Sequence, residues 1–331
     1  MEQEYKWMVL VRCYTFNHAP YITDALNGFC MQETTFPFVC TIVDDASTDG
    51  EQEVIKKYLQ EHFDLEDSSV VRNEETDDYV LTFARHKTNK NCYFAVLYLK
   101  YNHYSIKKAK MPYIKEWQDQ VRYIALCEGD DYWIHPEKLQ KQFETLENNA
   151  TVTLVHTGFS CVDESGNQIR RKFYEKIQRE SYSGNFLPMM FKSNHIMTLT
   201  TMYRKNITDS KLYVDSPSRI DYTLSLCASS LGDIFFLSDL MGAYRSSPNG
   251  LMLSKRTRVD ESLYMTYKYY SVSFIDGRLR NVELWSDIRI CYYIIKMALS
   301  KKDNDLIDYM LKRKRWVRPL YHLILLYKKC L

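Results

Sequence analysis

The sequence lacks closely spaced cysteines, long apolar runs and a strong excess of charge. None of its nine cysteines lies within four positions of another, which argues against a zinc knuckle and favours buried free thiols. No apolar run reaches about 18 residues, so we expect no membrane-spanning helix. The formal net charge is only +2, which argues against nucleic acid as a partner.

The chain has the composition of an ordinary globular protein. Of its 331 residues, 45% are hydrophobic and 26% are charged, which suits one large domain with an appendage or two modest domains. A strand is predicted almost directly after an acidic N-terminus, so we expect no signal peptide and a cytoplasmic location. The scattered cysteines fit such a reducing compartment.

Strands and helices alternate along the first part of the chain. Trp7–Cys13 and Val39–Val43 are apolar enough for buried strands. A helix follows each of them; the first begins near Pro20, and Thr48 with Glu51 resembles a capping box for the second. This alternation predicts an α/β fold with a doubly wound, mostly parallel, Rossmann-like sheet flanked by helices.

The rest of the chain is interpreted more coarsely. Residues 64–120 begin as a charged surface loop, and residues 93–109 are predicted to be helical. Residues 251–331 contain few Gly or Pro, and their helical periodicity places six residues on one stripe: Val282, Trp285, Ile288, Tyr292, Ile295 and Leu299. We therefore predict a domain over residues 1–250 and a helical C-terminal region over residues 251–331. Three more strands are predicted: Thr151–His156, Thr198–Tyr203 and Ile234–Leu237.

Two predicted strands end in pairs of aspartates. Asp44 and Asp45 follow the second strand, whereas Glu128, Asp130 and Asp131 follow an apolar run at residues 121–127. The carboxyl ends of parallel strands share one edge of a sheet, where α/β proteins bind ligands. Clustered carboxylates repel each other unless a cation or hydrogen-bond donors compensate them, and hard oxygen ligands suit Mg²⁺ or Mn²⁺.

Two structural readings of these carboxylates remain open. The second cluster would be a solvated acidic turn that caps the next helix, and Asp45 would be an Asx-type cap of the turn that follows it. The functional reading is a site for a divalent cation and a diphosphate, because a bound cation would neutralise a diphosphate leaving group.

Three blocks of the chain closely resemble family 2 glycosyltransferases: Val11–His18, Val43–Gly50 and Leu126–Trp133. Met31–Phe38 and Pro136–Gln142 are similar to a bacterial branch of that family, and the resemblance covers about residues 7–250. It implies a GT-A fold and an inverting sugar transfer from a nucleotide-diphosphate sugar. The implied setting is bacterial surface polysaccharide or glycolipid synthesis.

The resemblance also implies roles for individual residues, carried over by position. By resemblance, Tyr14, Thr15 and Phe16 would line the base pocket, and Asp45 would contact the base. Asp130 would reach the ribose or the metal, and Asp131 would ligate Mn²⁺ or Mg²⁺. Glu128 matches the first acidic residue of the metal motif in many members. The acceptor would be a glycan or a lipid-linked sugar.

An inverting transfer needs a base that deprotonates the acceptor hydroxyl. In the resembling family this base is an Asp or Glu at a helix start, and Asp221 matches that position. Asp215 and Asp233 are the other candidates. The structural alternative for Asp221 is a carboxylate that the helix dipole favours at an N-terminus.

The sequence departs from the family pattern at one place. Many relatives carry a His on a mobile loop shortly after a Tyr-Arg pair, whereas Tyr244 and Arg245 are followed by residues 246–250 without a His. This leaves the third metal ligand unassigned, with Arg245 or backbone amides as the groups that would close the loop. It also keeps open a second hypothesis, a non-catalytic module that binds a nucleotide or glycan. A nucleotidyltransferase would need a glycine-rich phosphate loop, and residues 14–20 contain no glycine.

The end of the chain is basic, aromatic and apolar. Lys312–Trp316 precedes a leucine-rich segment that ends in Lys328 and Lys329. Such a segment favours peripheral contact of residues 312–331 with the inner face of a membrane. The alternative is a C-terminal helix docked on the rest of the protein.

Overall fold

A computed structural model describes residues 5–246, 256–280 and 283–329, with the side chains of 256–259 and 328–329 left aside. Within these ranges, eleven strands form one sheet. They are β1 (Val9–Thr15), β2 (Phe38–Asp44), β3 (Phe63–Asp64), β4 (Arg72–Glu75), β5 (Tyr79–His86), β6 (Cys92–Leu99), β7 (Tyr123–Leu126), β8 (Tyr132–Trp133), β9 (Val152–Val162), β10 (Met202–Arg204) and β11 (Asp233–Arg245).

The centre of the sheet consists of four parallel strands in the order β6-β2-β1-β7. On one side β5 runs antiparallel to β6 and pairs with both β3 and β4. On the other side β10 lies antiparallel between β7 and β9, and β11 runs parallel to β9 and also pairs with β8. The prediction of a mostly parallel sheet flanked by helices is confirmed.

The helices that the structure describes cover both faces of the sheet. They are α1 (Ile22–Cys30), α2 (Glu51–His62), α3 (Met111–Gln118), α4 (Lys138–Asn148), α5 (Lys172–Arg179), α6 (Leu187–Lys192), α7 (Asn206–Asp209), α8 (Lys211–Val214), α9 (Asp221–Leu231), α10 (Arg256–Ile275), α11 (Leu284–Lys301), α12 (Asn304–Arg313) and α13 (Arg318–Lys329). Short 3₁₀ helices occupy Thr198–Thr200 and Arg315–Val317.

Side-chain alternation in β1 explains why both faces need a cover. Leu10 belongs to one apolar cluster, which includes α3, α6, α9 and the C-terminal helices. Val9 and Val11 belong to the other, which includes α1, α2 and α4. All three side chains are fully buried. Parallel strands with two buried faces read as continuous apolar runs, which is how β1 and β2 were predicted.

The C-terminal region is helical, as predicted, and packs into the same apolar cluster as α6 and α9. The predicted stripe coincides only in part with the buried face of α11. Ile295 is buried, but Trp285 is 75% exposed and the buried face centres on Ile290 and Ile294. The error arises because α11 has apolar residues on more than one side, so spacing alone does not select the buried one. Val282 lies outside the described residues, and so does the predicted domain boundary at residue 250.

Three local predictions are wrong. Residues 93–109 are not a helix, because Cys92–Leu99 is the strand β6, which pairs on both sides with β2 and β5. Thr48 does not form a capping box, because Gly50 (φ 91°) caps α2 and the Glu51 side chain turns toward the loop after β1. Thr198–Tyr203 is a 3₁₀ helix followed by β10 rather than one strand.

No helix in the described ranges is long and apolar enough to cross a membrane. The cysteines in those ranges are free, and all except Cys30 are buried, as the sequence predicted. Cys330 lies outside the described residues.

Candidate active site

The acidic loop between β7 and β8 contains Glu128, Asp130 and Asp131. Asp131 is only 5% exposed, so the reading of this loop as a solvated turn is wrong for Asp131. Neither aspartate caps the next helix, because α4 begins at Lys138 with Glu137 as its N-cap. Burial and the neighbouring Asp130 raise the pKa of Asp131 well above its ordinary value. Asp131 is therefore poorly solvated, whereas the Asp130 side chain is 35% exposed and lies 3.9 Å from His18 Nε2.

Gly129 allows this loop to lie against the end of β1. Its N–H donates to the Tyr14 carbonyl over 3.1 Å, and a Cβ atom at this position would collide with the Thr15 side chain. A glycine here needs no unusual backbone angle; it supplies space. The loop and the end of β1 are thus packed as one unit.

Arg245 holds the acidic loop from the other side. Its backbone N–H donates to Asp131 Oδ1 over 2.8 Å, and its side-chain Nε donates to the Asp130 carbonyl over 3.0 Å. The guanidinium also donates to Asp24 Oδ2 over 2.7 Å and to the carbonyls of Asp163 and Glu164. Loop closure through Arg245 would require these contacts to break. Residues 247–255, which the predicted mobile loop would include, lie outside the described residues.

The residues predicted to line a base pocket are only partly brought together. Tyr14 packs on the α3 face, where its hydroxyl contacts Met111 Sδ over 3.2 Å. Thr15 points to the other face and donates to the buried Glu51 carboxylate. Phe16 is 41% exposed beyond the strand end. These neighbours on one strand therefore offer three different surfaces.

Asp45 lies buried at the end of β2 and supports a distant loop. Its carboxylate accepts the backbone N–H groups of His103 and Tyr104 over 2.7 and 3.1 Å, and the ammonium of Lys110 over 2.9 Å. A carboxylate has about four acceptor positions, so room for one further donor is left. The Asx-type cap predicted for Asp45 is wrong, because Asp44 accepts the N–H of Ser47 instead. The predicted base contact of Asp45 stays a prediction.

The backbone at both strand ends is unusual. Asn17 and Ala46 adopt left-handed conformations with φ of 57° and 58°. For alanine this costs about 1 kcal/mol, and such positions concentrate at functional sites. Ala46 directly follows Asp45, so the left-handed turn occurs next to the buried carboxylate.

Two cations near the acidic loop were missed by sequence reasoning. Arg12 on β1 makes no ion pair with a carboxylate in the part of the chain described, and its charge acts on Glu128. Lys110, which contacts Asp45, also acts on Glu128. A charged residue inside the otherwise apolar β1 was the available signal for Arg12. Nothing in the sequence connects Lys110 to Asp45, 65 positions away.

Asp221 opens α9, as predicted. Its Oδ1 accepts the N–H of Tyr222 over 2.7 Å, and its Oδ2 accepts the Thr198 hydroxyl over 3.3 Å. The residue is exposed to solvent, yet surrounding protein atoms raise its pKa above the ordinary value. The hydrogen bond from the N–H of Tyr222 agrees with the alternative that the helix dipole favours a carboxylate here. That stabilising role does not conflict with a role of Asp221 as base.

Glu128 connects these groups electrostatically. Burial raises the pKa of Glu128 to about 7; Arg12 and Lys110 lower it, and Asp130 and Asp221 raise it. The predicted base and the predicted metal pair therefore act on the same carboxylate. The alternative bases are less favourable: Asp233 lies at the opposite edge of the sheet, at the start of β11, and pairs with Arg280. Asp215 is an exposed residue at the end of α8.

The donor set fits a hard divalent cation. The described residues contain no ready group of three or more His, Cys, Asp or Glu ligands. Mg²⁺ commonly binds through one or two carboxylates together with substrate phosphates and water. The neighbouring carboxylates Asp130 and Asp131 suit that mode, because a cation would relieve the repulsion that raises the pKa of Asp131.

The sequence was compared with known families and proteins. Residues 13–80 match the family model described as Glycosyl transferase family 2. An uncharacterized protein of Mycobacterium tuberculosis is 27% identical over 246 residues, which cover 73% of this chain and 60% of the relative. An uncharacterized glycosyltransferase of Methanocaldococcus jannaschii is 29% identical over 94 residues, or 28% of this chain and 30% of that protein. The chain thus spans less than two thirds of the length of these relatives.

The structure was compared with solved structures. TarS 1-349 of S. aureus in complex with UDP superimposes with a TM-score of 0.51, at 16% identity, over 88% of this chain and 72% of that chain. TarS 1-349 alone gives a TM-score of 0.52 at 15% identity, over 90% and 73% of the two chains. At this identity the likeness is one of fold.

Proposed function

Because residues 13–80 match the Glycosyl transferase family 2 model and the chain has a GT-A fold, we propose that it is an inverting, metal-dependent sugar transferase. The donor would be a nucleotide-diphosphate sugar and the acceptor a hydroxyl of a glycan or lipid-linked glycan. The setting would be cytoplasmic synthesis of a bacterial surface polysaccharide or glycolipid. The observation that carries the proposal is that two buried carboxylates, Asp45 and Asp131, lie just beyond the carboxyl ends of the parallel strands β2 and β7, with Asp221 at the start of α9.

In this mechanism Asp221 removes the proton from the acceptor hydroxyl. Its carboxylate is exposed, so a hydroxyl can approach, and its raised pKa makes it a stronger base than an ordinary aspartate. The N–H of Tyr222 and the hydroxyl of Thr198 orient the carboxylate. The acceptor oxygen then attacks the anomeric carbon as the bond to the diphosphate breaks, which inverts that carbon.

The donor would be held by the loops after β1, β2 and β7. Asp45 has room for one donor group of the base, and Arg12 and Lys110 supply positive charge beside the acidic loop. Asp130 and Asp131 would hold Mn²⁺ or Mg²⁺, whose chemistry is the neutralisation of charge on a diphosphate. TarS, which has the same fold, was crystallised with UDP, and this supports the choice of donor class.

The test is nucleotide release from a panel of sugar nucleotides with Mn²⁺. We expect Asp131→Asn and Asp221→Asn each to lower turnover by about 10²–10⁴-fold. Asp131→Asn should also remove the thermal stabilisation that the donor gives, whereas Asp221→Asn should keep it, because Asp221 acts on the acceptor.

Asp209→Asn, an exposed aspartate of α7, is the matched control and should behave as wild type. Wild-type turnover in both site variants would contradict the proposed roles. Metal-dependent nucleotide binding without transfer from any donor would favour the non-catalytic module instead.

We also propose peripheral membrane contact through the C-terminal helix. One face of α13 is docked on the rest of the protein, because Ile324 is only 8% exposed. The opposite face presents Leu323 and Leu326, which are 64% and 60% exposed. Exposed basic residues precede them, including Arg315 and Arg318. A basic and apolar face of this kind fits an anionic lipid surface.

The test is flotation with vesicles that contain phosphatidylglycerol or only phosphatidylcholine. We expect flotation with the anionic vesicles and its loss in the variant Leu323→Glu/Leu326→Glu. Leu231→Glu, an exposed leucine at the end of α9, is the control. Equal flotation of both variants would contradict the membrane contact.

A further inference from the structure

The helix α5 and the two residues before it are strongly basic. Five of these ten residues are cations, although the whole chain has a formal net charge of only +2. The cations are Arg170, Arg171, Lys172, Lys176 and Arg179, and all of them are exposed. The helix buries a single residue, Ile177, so its remaining side chains face outward or pack at the rim.

Most of these charges are not neutralised within the protein. Arg170 pairs with Glu175 over 2.7 Å, and the nearby Glu180 is engaged by Lys192 and His195. Among the described residues, no ion pair involves Lys172, Lys176 or Arg179. Cations at the start of a helix oppose its dipole, so Arg171 and Lys172 do not stabilise α5.

The position of α5 connects it to the candidate active site. The Tyr174 ring packs edge-on against Phe159 of β9 and Tyr244 of β11, with ring centroids 5.8 and 5.1 Å away. Arg171 lies 3.4 Å from the Ser246 hydroxyl. Ser246 follows Arg245, whose backbone N–H binds Asp131.

This location favours the acceptor over the donor. The helix packs against β9 and β11, and Arg245 at the end of β11 connects it to the acidic loop. The predicted base contact, Asp45, lies at the end of β2, and the strands β1, β7 and β10 separate it from β9. A donor bound between Asp45 and the acidic loop would leave α5 free for the second substrate.

We propose that α5 binds an acceptor that carries phosphate or carboxylate groups. The inference rests on the proposed glycosyltransferase function and names the acceptor class. Lys172, Lys176 and Arg179 contact the anionic groups, and Arg171 binds the group nearest to the reaction centre. Phe173, which is 54% exposed, offers an apolar face to a sugar ring.

The experiment measures affinity of the full chain for defined probes by calorimetry, with UDP and Mn²⁺ present. The probes are a hexamer of galacturonic acid, an oligomer of glycerol phosphate, dodecyl phosphate in dodecyl maltoside micelles, and neutral maltohexaose. We expect at least one anionic probe to bind and maltohexaose to bind much more weakly. Lys172→Gln/Lys176→Gln/Arg179→Gln should weaken the anionic probes by about tenfold.

Two comparisons make the result decisive. The control Lys57→Gln/Lys90→Gln/Lys115→Gln removes three other exposed charges and should leave binding unchanged. Binding of dodecyl phosphate without the oligomers would identify lipid phosphate as the source of the anion. Equal losses in both triple variants, or equally tight binding of maltohexaose, would overturn the inference.

Thermal stabilisation by UDP and Mn²⁺ separates this inference from the function on which it rests. If the wild type and the α5 variant are both stabilised but the variant binds the anions normally, only the acceptor inference fails. If UDP, GDP and other nucleotides all fail to stabilise the wild type, both fail.

Discussion

The two halves of the candidate site differ in how their polar groups are satisfied. On the donor half, Asp45 accepts three donors, and the buried Glu51 accepts Thr15, Ser47 and the N–H of His18. On the acceptor half, Asp221 has one side-chain donor, and the cations of α5 are largely unpaired. The polar groups of the proposed donor half are therefore largely satisfied within the protein, whereas those of the proposed acceptor half remain available.

The largest effect that tests this comparison is expected at Arg245. Arg245→Met removes a guanidinium that is only 4% exposed and that donates to three main-chain carbonyls and to Asp24. We expect a loss of about 3–5 kcal/mol in the free energy of unfolding. Chemical denaturation measures it.

Arg171→Met on the acceptor half is the matched change, and it should cost under about 0.5 kcal/mol. Equal losses for the two arginines would contradict the difference between the buried, paired cation Arg245 and the exposed cations of α5.

The next largest effect is expected at Gly129. Gly129→Ala forces a Cβ atom against Thr15 and should cost about 1–3 kcal/mol, because the loop and β1 are closely packed. Thermal unfolding with and without donor measures both stability and donor binding. Thr15→Ala in the same variant removes the nearer of the colliding atoms, Thr15 Oγ1, and should recover part of the loss. An unchanged melting temperature for Gly129→Ala would show that the two segments move independently.

A smaller, pH-dependent effect is expected on the acceptor half. His156 is buried in β9, its Nε2 has no hydrogen-bond partner in the part of the chain described, and burial with the nearby His195 lowers its pKa to about 3. Because the ordinary pKa is 6.5, the unfolded state takes up a proton first as the pH falls. Stability is unaffected above the ordinary pKa and decreases below it, by about 2 kcal/mol between pH 7 and pH 5.

His156→Leu cannot be protonated and should lose less stability over the same pH range. Urea unfolding at both pH values gives the comparison, and His322→Leu, an exposed histidine of α13, is the control. Identical pH slopes for wild type and His156→Leu would contradict a neutral buried His156.

Local patterns in the sequence were sufficient for the first two strands and helices. β1 and β2 are continuous apolar runs, and α1 buries Ile22, Leu26 and Phe29 on one face at helical spacing. β6 was missed because a short apolar run cannot be assigned to strand or helix by periodicity alone. Its two neighbours, β2 and β5, decide the matter, and pairing of this kind is not visible in a local window.

In the candidate site too, local motifs were visible in the sequence and long-range contacts were not. The aspartate pairs and Asp221 were identified from motifs, because each motif is local. The roles of Glu51 and Lys110 were missed because their partners lie 33–36 and 65 positions away. The predicted capping role of Glu51 was a local interpretation of a residue whose contacts are long-range.

The contacts of Arg245 have a consequence for sequence variation among relatives. Three of its acceptors are main-chain carbonyls, those of Asp130, Asp163 and Glu164. Every residue type carries such a carbonyl, so the turn at 163–164 can change its side chains while the guanidinium keeps its partners. An insertion that moved this turn would not be tolerated as easily. Arg245 therefore constrains the length of this turn and not the identity of its residues.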